Sequence, residues 1–220
     1  MNIKSLLKKF AQALGVYHSI RNRLKAYRDK RELREWQELG KPVPPPHMVK
    51  QRAILKYARE FKCEALVETG TYLGDMVEAM KDAFQSIHTI ELDTAIFESA
   101  RKRFKNCRNV TLYQGDSGVV IKEVISVLGN SSDRVVFWLD GHDSGGVTAH
   151  SECPLVQEVH TILSSRPQDV VLIDDVHLFG VAEDYPTVED IEGLVCNLSP
   201  NSKVLVEDNI LRIFPNPLDQ

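Results

Sequence analysis

The chain has 220 residues, 43% of them hydrophobic, which is enough apolar material to form one full α/β core. Its net charge of −4 is uneven, because residues 1–42 carry eleven Lys/Arg and four Asp/Glu whereas residues 43–220 carry sixteen and twenty-seven. The acidic body excludes nucleic-acid binding through a basic face, and four cysteines without a C-x-x-C pair argue against a zinc knuckle and for a cytoplasmic, reducing compartment.

The first predicted element is a long amphipathic helix in the basic arm. Its apolar residues recur at alternating spacings of three and four, which places them on one helix face. They are Ile3, Leu6, Phe10, Ala13, Tyr17, Ile20, Leu24 and Tyr27. Such a face suits packing on its own domain, self-association with a second copy, or peripheral contact with an anionic membrane. The proline-rich segment that follows predicts a linker, so we divide the chain into an arm and linker, 1–42, and a domain, 43–220.

From residue 47 onward, helical and extended patterns alternate. Because strands separated by helices form parallel βαβ units, this order predicts a parallel sheet. Two final strands, 203–206 and 210–214, flank a turn and predict an antiparallel hairpin. The fold class is therefore α/β, a Rossmann-like, seven-stranded, mostly parallel sheet with a C-terminal antiparallel hairpin. The other strands are predicted over 65–67, 87–91, 110–113, 134–139 and 170–173, and the helices over 48–61, 75–84, 94–105, 119–128, 154–164 and 188–198.

The first of these strands runs into a glycine turn with the sequence E-T-G-T-Y-L-G, between Glu68 and Gly74. Glycine lacks a Cβ, so such a turn lets a ligand approach backbone N–H groups at the carboxyl edge of a sheet. Glu91 ends the next strand, where an acid can bind a ribose diol. The spacing E-x-G-x-x-x-G resembles motif I of class I S-adenosylmethionine-dependent methyltransferases. The alternative is an ordinary strand-turn-helix junction with two glycines.

The third strand ends in Gln114-Gly115-Asp116-Ser117, which resembles the adenine-binding segment of the same family. Asp116 and Ser117 also suit the N-terminal cap of the following helix, and the two roles are compatible. The resemblance implies S-adenosyl-L-methionine as cofactor. The residues it places at the cofactor are Glu68, Thr69, Gly70, Tyr72, Gly74, Glu91, Leu92, Asp116, Ser117 and Asp140.

Three acids follow the fourth and fifth strands. Asp140 ends the fourth, and Asp174 with Asp175 ends the fifth. Neighbouring parallel strands would bring these carboxylates together, where they repel one another unless a cation binds. Oxygen-only ligands suit Mg²⁺, with Mn²⁺ and Ca²⁺ as alternatives, so the pattern predicts a divalent-metal site with magnesium as the first candidate. The alternative is that these aspartates cap helices or face solvent.

These acids resemble the ligand set of the metal-dependent O-methyltransferases of the macrocin (sugar) and catechol types. The resemblance implies that Asp140, Asp174 and Asp175 hold the metal. Two residues after the first ligand, the sugar type has an aspartate base, and this chain has His142. Three residues after it, the catechol type has a lysine base, and this chain has Asp143. We predict His142 as the catalytic base, since an imidazole readily takes a proton. The alternative is that His142 orients Asp140 or contacts the substrate without transferring a proton. His177 is the second candidate for the base.

The leading interpretation is an S-adenosylmethionine-dependent, metal-assisted O-methyltransferase that acts on a hydroxyl of a small polyhydroxylated acceptor. The resemblance favours a sugar of a polysaccharide, glycolipid or natural product. Two alternatives are a metal-independent methyltransferase and a non-catalytic cofactor-fold protein associated with a membrane or partner. A nicotinamide dehydrogenase ranks last, because the turn lacks the third glycine of that fingerprint. We expect a cytoplasmic protein that is peripheral at the membrane if the basic arm binds lipid.

Overall fold

The computed structural model describes residues 27–129, 133–140, 153–182 and 184–216. The chain divides into two compact units, Met1–Val49 and Lys50–Gln220. In the first unit, residues 27–38 are helical (α1), and the indole N–H of buried Trp36 donates to the Pro42 carbonyl at 2.7 Å. Of the predicted apolar stripe, Tyr27 is described and exposed, and the other seven residues lie outside the described ranges.

The rest of the described chain alternates helices and strands, as predicted. The strands are β1 (Cys63–Thr69), β2 (Ser86–Glu91), β3 (Val110–Gln114), β4 (Arg134–Leu139), β5 (Val170–Ile173), β6 (Ser202–Glu207) and β7 (Ile210–Pro215). The helices are α2 (His47–Phe61), α3 (Asp75–Met80), α4 (Thr94–Phe104), α5 (Ser117–Leu128), α6 (Leu155–Ser165) and α7 (Val188–Leu198), with a 3₁₀ turn at Val176–Leu178. Within the described residues, no helix combines the length and apolar character needed to cross a bilayer.

The strands form one seven-stranded sheet in the order β3-β2-β1-β4-β5-β7-β6. The first five are mutually parallel, whereas β7 runs antiparallel to β5 and pairs with β6 as a hairpin. The predicted sheet and its closing hairpin are therefore confirmed. Because β1, β4 and β5 are adjacent and parallel, their carboxyl ends meet at one edge of the sheet.

The central strands are buried on both faces, which explains their continuous apolar runs. Successive side chains point to opposite faces of a strand. Leu66 and Trp138 pack with the apolar residues of α2, α3 and α4, whereas Val67 and Phe137 pack with those of α5, α6 and α7. The two cores hold the central strands rigidly, so residues just beyond their ends have fixed positions.

A buried ion pair fixes β4 and β5 at the opposite edge of the sheet. Arg166 pairs with Asp169, and its guanidinium also donates to the carbonyls of Gly129 and Asp133, each at 2.8 Å. Asp169 Oδ1 in turn accepts the backbone N–H of Val135 at 3.2 Å. These contacts join the end of α6 to the start of β4, and so hold in register the two strands that carry the acids.

Candidate functional site

Main-chain pairing continues one residue past the ends of the central strands. The N–H of Asp140 donates to the Thr69 carbonyl at 3.2 Å, and the N–H of Asp174 donates to the Leu139 carbonyl at 3.0 Å. The residues that follow β1, β4 and β5 are consequently level with one another. This pairing brings the glycine turn and the first two acids to the same edge.

The glycine turn is held against β2 by its own backbone. The N–H groups of Gly70 and Thr71 both donate to the Ile90 carbonyl, at 3.0 and 3.1 Å. Gly74 has a φ of +76°, and a Cβ added there would lie 2.5 Å from a ring carbon of Phe104. Both the left-handed backbone and the close approach of Phe104 require glycine at this position.

Glu68 lies beneath the turn and is buried, with 2% exposure. Its Oε2 accepts the hydroxyl of Thr89 at 2.6 Å, and Thr89 Oγ1 also lies 2.6 Å from Thr71 Oγ1. Burial raises the pKa of Glu68 to about 8, against the opposing effect of the Thr89 hydrogen bond and with smaller contributions from the charges of Asp140 and Glu91. The Glu68 carboxyl group therefore stays protonated to a higher pH than an ordinary glutamate does.

Glu91 anchors the turn from β2. Its Oε2 accepts the backbone N–H of Tyr72 at 2.8 Å, and its Oε1 accepts that of Asp93 at 2.9 Å. Tyr72 and Leu92 expose 53% and 42% of their surface next to this carboxylate. Glu91 thus lies at the carboxyl edge of the sheet, between the backbone N–H groups that it binds and the exposed side chains of Tyr72 and Leu92.

Asp116 caps α5, which was one of its two predicted roles. Its Oδ1 accepts the N–H of Gly118 at 2.8 Å, and Ser117 begins the helix. Asp116 Oδ2 takes no part in this cap. Asp116 and Ser117 follow β3, at the same sheet edge as the end of β2.

The structure brings Asp140, Asp174 and Asp175 together. A carboxylate oxygen from each lies within 4.8 Å of the others. Asp174 is buried, and Asp140 and Asp175 are half-buried. Asp175 adopts a left-handed φ of +53°, and its N–H donates to Asp174 Oδ1 at 2.8 Å. Asn209 Nδ2 donates to Asp175 Oδ1 at 3.3 Å, which links the cluster to the β6–β7 turn.

Lys50 enters this cluster and was missed in the sequence. Its ammonium forms an ion pair with Asp174 Oδ2, and its side chain is only 15% exposed. Burial lowers the pKa of Lys50, but the negative charges of Asp174, Asp140 and Asp175 outweigh this and raise the pKa above its ordinary value. Lys50 lies on α2, before the glycine turn, and no local spacing in the sequence connects it with the acids.

Two histidines were predicted as bases. His142 lies outside the described residues, as does Asp143. His177 lies beside the acid cluster, with Nδ1 3.9 Å from Asp175 Oδ1 and 3.2 Å from Asn209 Oδ1. Its backbone N–H donates to the same Asn209 oxygen at 2.9 Å. Of the two candidate bases, His177 is the one that the described residues include, and it lies next to the acid cluster.

A small cavity adjoins Asp174 on the α6 side of the sheet. Glu158, which is buried, and Tyr185 contribute its polar groups together with Asp174. Burial raises the pKa of Tyr185, and the charges of Cys153, Asp175, Asp140 and Glu158 act in the same direction. The phenol therefore remains protonated. The full lining is Leu139, Cys153, Leu155, Glu158, Ile173, Asp174 and Tyr185.

The sheet order is that of the fold implied by the resemblance to class I S-adenosylmethionine-dependent methyltransferases, and solved structures share this fold. Methyltransferase PaMTH1 of Podospora anserina, solved with S-adenosylhomocysteine, matches with a TM-score of 0.55 and 18% identity over 90% of this chain and 95% of that chain. A Staphylococcus aureus protein provisionally assigned as a caffeoyl-CoA O-methyltransferase matches at 0.52 and 17%, over 94% and 98%. Identities this low establish the fold. No family model and no curated protein sequence matches the chain.

Proposed function

We propose that the chain is an S-adenosylmethionine-dependent O-methyltransferase, assisted by a divalent metal. The observation that carries the proposal is the closeness of two groups of residues. The N–H of Asp140 donates to the carbonyl of Thr69, just before the glycine turn, and Asp140 lies with the other two acids. A cofactor in the turn would then present its methyl group close to an acceptor held at the acids.

The cofactor would bind along the ends of β1, β2 and β3. Gly70 and Gly74 leave room for close approach of the ligand to the backbone. Glu91 would accept the ribose hydroxyls, because each carboxylate oxygen has a second lone pair beyond the one used by a backbone N–H. Asp116 would contact the adenine through Oδ2, because Oδ1 caps α5. The remaining contacts are proposed for Glu68, Thr69, Tyr72, Leu92, Ser117 and Asp140.

Asp140, Asp174 and Asp175 fit a divalent cation. They offer three carboxylate groups with oxygens within 4.8 Å of one another, and hard oxygen donors suit Mg²⁺. When bound, the metal would lower the pKa of the acceptor hydroxyl and orient its oxygen. The protein would supply the rigid frame, because β4 and β5 hold Asp140 and Asp174 in register.

A base near the cluster would take the proton of the acceptor hydroxyl. We propose His142, which lies two residues after Asp140 in the sequence. His177 is the second candidate, because its Nδ1 lies 3.9 Å from Asp175 Oδ1. An imidazole is suited to this task at neutral pH. The acceptor we propose is a small polyhydroxylated molecule, with a sugar hydroxyl of a polysaccharide, glycolipid or natural product as the first class to test.

A metal-independent methyltransferase is the second candidate function. The ion pair between Lys50 and Asp174 favours it, because an ammonium can neutralise part of the charge that a metal would neutralise. The two candidates differ in their response to a chelator. Turnover that survives EDTA supports the metal-independent enzyme, and turnover that is lost and then restored by Mg²⁺ supports the metal-assisted one.

The arm, 1–42, is proposed to associate with a second copy or with an anionic membrane, leaving 43–220 as the cofactor-binding domain. Its eleven Lys/Arg against four Asp/Glu support the membrane contact. Sedimentation with vesicles of anionic and of neutral lipid tests it. Binding to anionic vesicles that salt reverses supports the proposal, and equal recovery in both supernatants counts against it.

Binding of S-adenosylhomocysteine, followed by thermal shift with and without Mg²⁺, tests the proposed function. We expect S-adenosylhomocysteine, the cofactor product of methyl transfer, to raise the melting temperature of the protein, and Mg²⁺ to raise it further. A null result with the product would contradict the cofactor assignment. A shift with the product but none with Mg²⁺ would contradict only the metal.

A further inference from the structure

Lys50 and the proposed metal would both bind the Asp174 carboxylate. Asp174 Oδ1 accepts the N–H of Asp175 at 2.8 Å, and Asp174 Oδ2 forms the ion pair with Lys50. Asp174 is 99% buried, so water cannot readily replace either contact. A cation that binds Asp174 through Oδ2 must therefore move the Lys50 ammonium or share the oxygen with it.

The charge of the cluster makes this competition strong. Three carboxylates within 4.8 Å of one another repel, and Lys50 is a cation that the chain itself supplies to reduce the repulsion. His177 also lies beside the cluster, where its Nδ1 is close to Asp175 Oδ1 and Asn209 Oδ1, and its side chain is 34% exposed. Lys50 pairs with the buried acid, Asp174.

We propose that Lys50 is an internal cation that occupies the acid cluster in the metal-free protein and competes with the divalent metal for Asp174. This inference rests on the metal site of the proposed function. Lys50 is thus a positioning residue, which holds Asp174 in place before the metal binds and sets the metal affinity by the cost of its own displacement. The chain would bind metal only where the free concentration is high enough to displace the ammonium.

Calorimetric titration of Mn²⁺ into the full chain tests the proposal. Lys50→Met removes the charge and keeps much of the side-chain volume, so we expect it to bind Mn²⁺ at least about tenfold more tightly than the wild type. Lys50→Arg keeps the charge and should stay within about threefold of the wild type. Lys56→Met, an exposed lysine on the same helix, is the matched control and should leave the affinity unchanged.

A merely structural role for Lys50 predicts the opposite result. If the lysine only holds Asp174 in place, Lys50→Met will bind Mn²⁺ equally or more weakly, and the proposal is overturned. Should Lys50→Met fail to fold, Lys50→Gln carries the same test with a polar group for Asp174. Circular dichroism of each variant establishes that its fold is intact.

Titration of S-adenosylhomocysteine in the same samples separates this inference from the proposed function. If the product binds and the wild type binds Mn²⁺ as well as Lys50→Met does, only the inference fails. If neither protein binds Mn²⁺ but both bind the product, the inference and the metal both fail and the cofactor assignment stands. If Lys50→Met binds Mn²⁺ where the wild type shows no binding, the competition is supported in its strongest form.

Discussion

The backbone N–H of Tyr72 donates to Glu91 Oε2 at 2.8 Å, so the glycine turn after β1 is tied to the acid that ends β2. The other oxygen of Glu91 holds the N–H of Asp93, which caps α4. One carboxylate therefore fixes the glycine turn and the start of a helix relative to β2. The proposed ribose contact and the shape of the turn depend on the same side chain.

Glu91→Ala should weaken S-adenosylhomocysteine binding by at least about tenfold, because it removes a charged hydrogen-bond acceptor for the ligand and frees two backbone N–H groups. Isothermal titration calorimetry measures the affinity. Glu98→Ala, on the exposed surface of α4 where it pairs with Arg101, is the control and should bind normally. Unchanged affinity in Glu91→Ala would remove Glu91 from the cofactor site.

Gly74→Ala should lower the free energy of unfolding by about 1–3 kcal/mol. The added methyl would lie 2.5 Å from the Phe104 ring, on a backbone with φ +76°. Urea denaturation measures the change. Gly193→Ala is the matched control, because a Cβ there meets nothing within 4 Å and α7 gains about 0.5–1 kcal/mol from the better helix former. Equal effects of the two substitutions would contradict the close packing at Gly74.

The stability of the cofactor-free protein should fall as the pH rises from about 5 to about 8, in part because of Glu68. The folded protein holds the Glu68 proton up to a pKa of about 8, whereas the unfolded chain releases it near the ordinary value of 4.5. Between these values the folded state binds more protons, so its stability decreases with pH. Above about 8 this contribution is constant.

Glu68→Gln removes that titration. The difference between the free energies of unfolding of the variant and the wild type should increase from about pH 5 to about pH 8 and stay constant above that. Urea denaturation at a series of pH values measures it. The charges of Asp140 and Glu91 act on Glu68 and are kept in the variant. Glu123→Gln, an exposed acid on α5, should show no such difference. A parallel profile for Glu68→Gln and the wild type would contradict the neutral buried acid.

Arg166→Met should destabilise the protein by about 3–5 kcal/mol, because it leaves Asp169 buried without its cation. It also frees the carbonyls of Gly129 and Asp133. Arg101→Met breaks an exposed pair with Glu98 and should cost no more than about 1 kcal/mol. Denaturant unfolding compares the two. A loss for Arg166→Met as small as that for Arg101→Met would show that the buried pair does not hold β4 and β5 together.

The sheet could be predicted from the sequence because its signals are local. The apolar run 135–139 and the hairpin signal after β6 each lie within a few residues, and both elements are present. The helix after the glycine turn is shorter than predicted, since α3 ends at Met80 rather than at Phe84. Asn109, which precedes β3, donates to the carbonyls of Lys81 and Phe84 at 2.7 and 3.1 Å, so a distant residue sets this segment.

The candidate site likewise contains residues that could be predicted from the sequence and residues that could not. Asp140, Asp174 and Asp175 could be found because each lies within two residues of the end of a strand, and parallel strands carry such residues to one edge. Lys50 could not, because its contact with Asp174 depends on how α2 packs and not on any local pattern. The hydrogen bond from Thr89 to Glu68 could not be predicted either, because it depends on the register between β1 and β2.

The central claim is that the cofactor methyl group and a divalent metal lie side by side at the carboxyl edge of the sheet. It is tested most directly by NMR of S-adenosylmethionine carrying a ¹³C-labelled methyl group, bound to the full chain, with Mn²⁺ added against a Mg²⁺ control. We predict strong paramagnetic broadening of the methyl signal with Mn²⁺, abolished in an Asp174→Asn, Asp175→Asn double variant that still binds the cofactor. A bound methyl signal that Mn²⁺ leaves sharp would contradict the account.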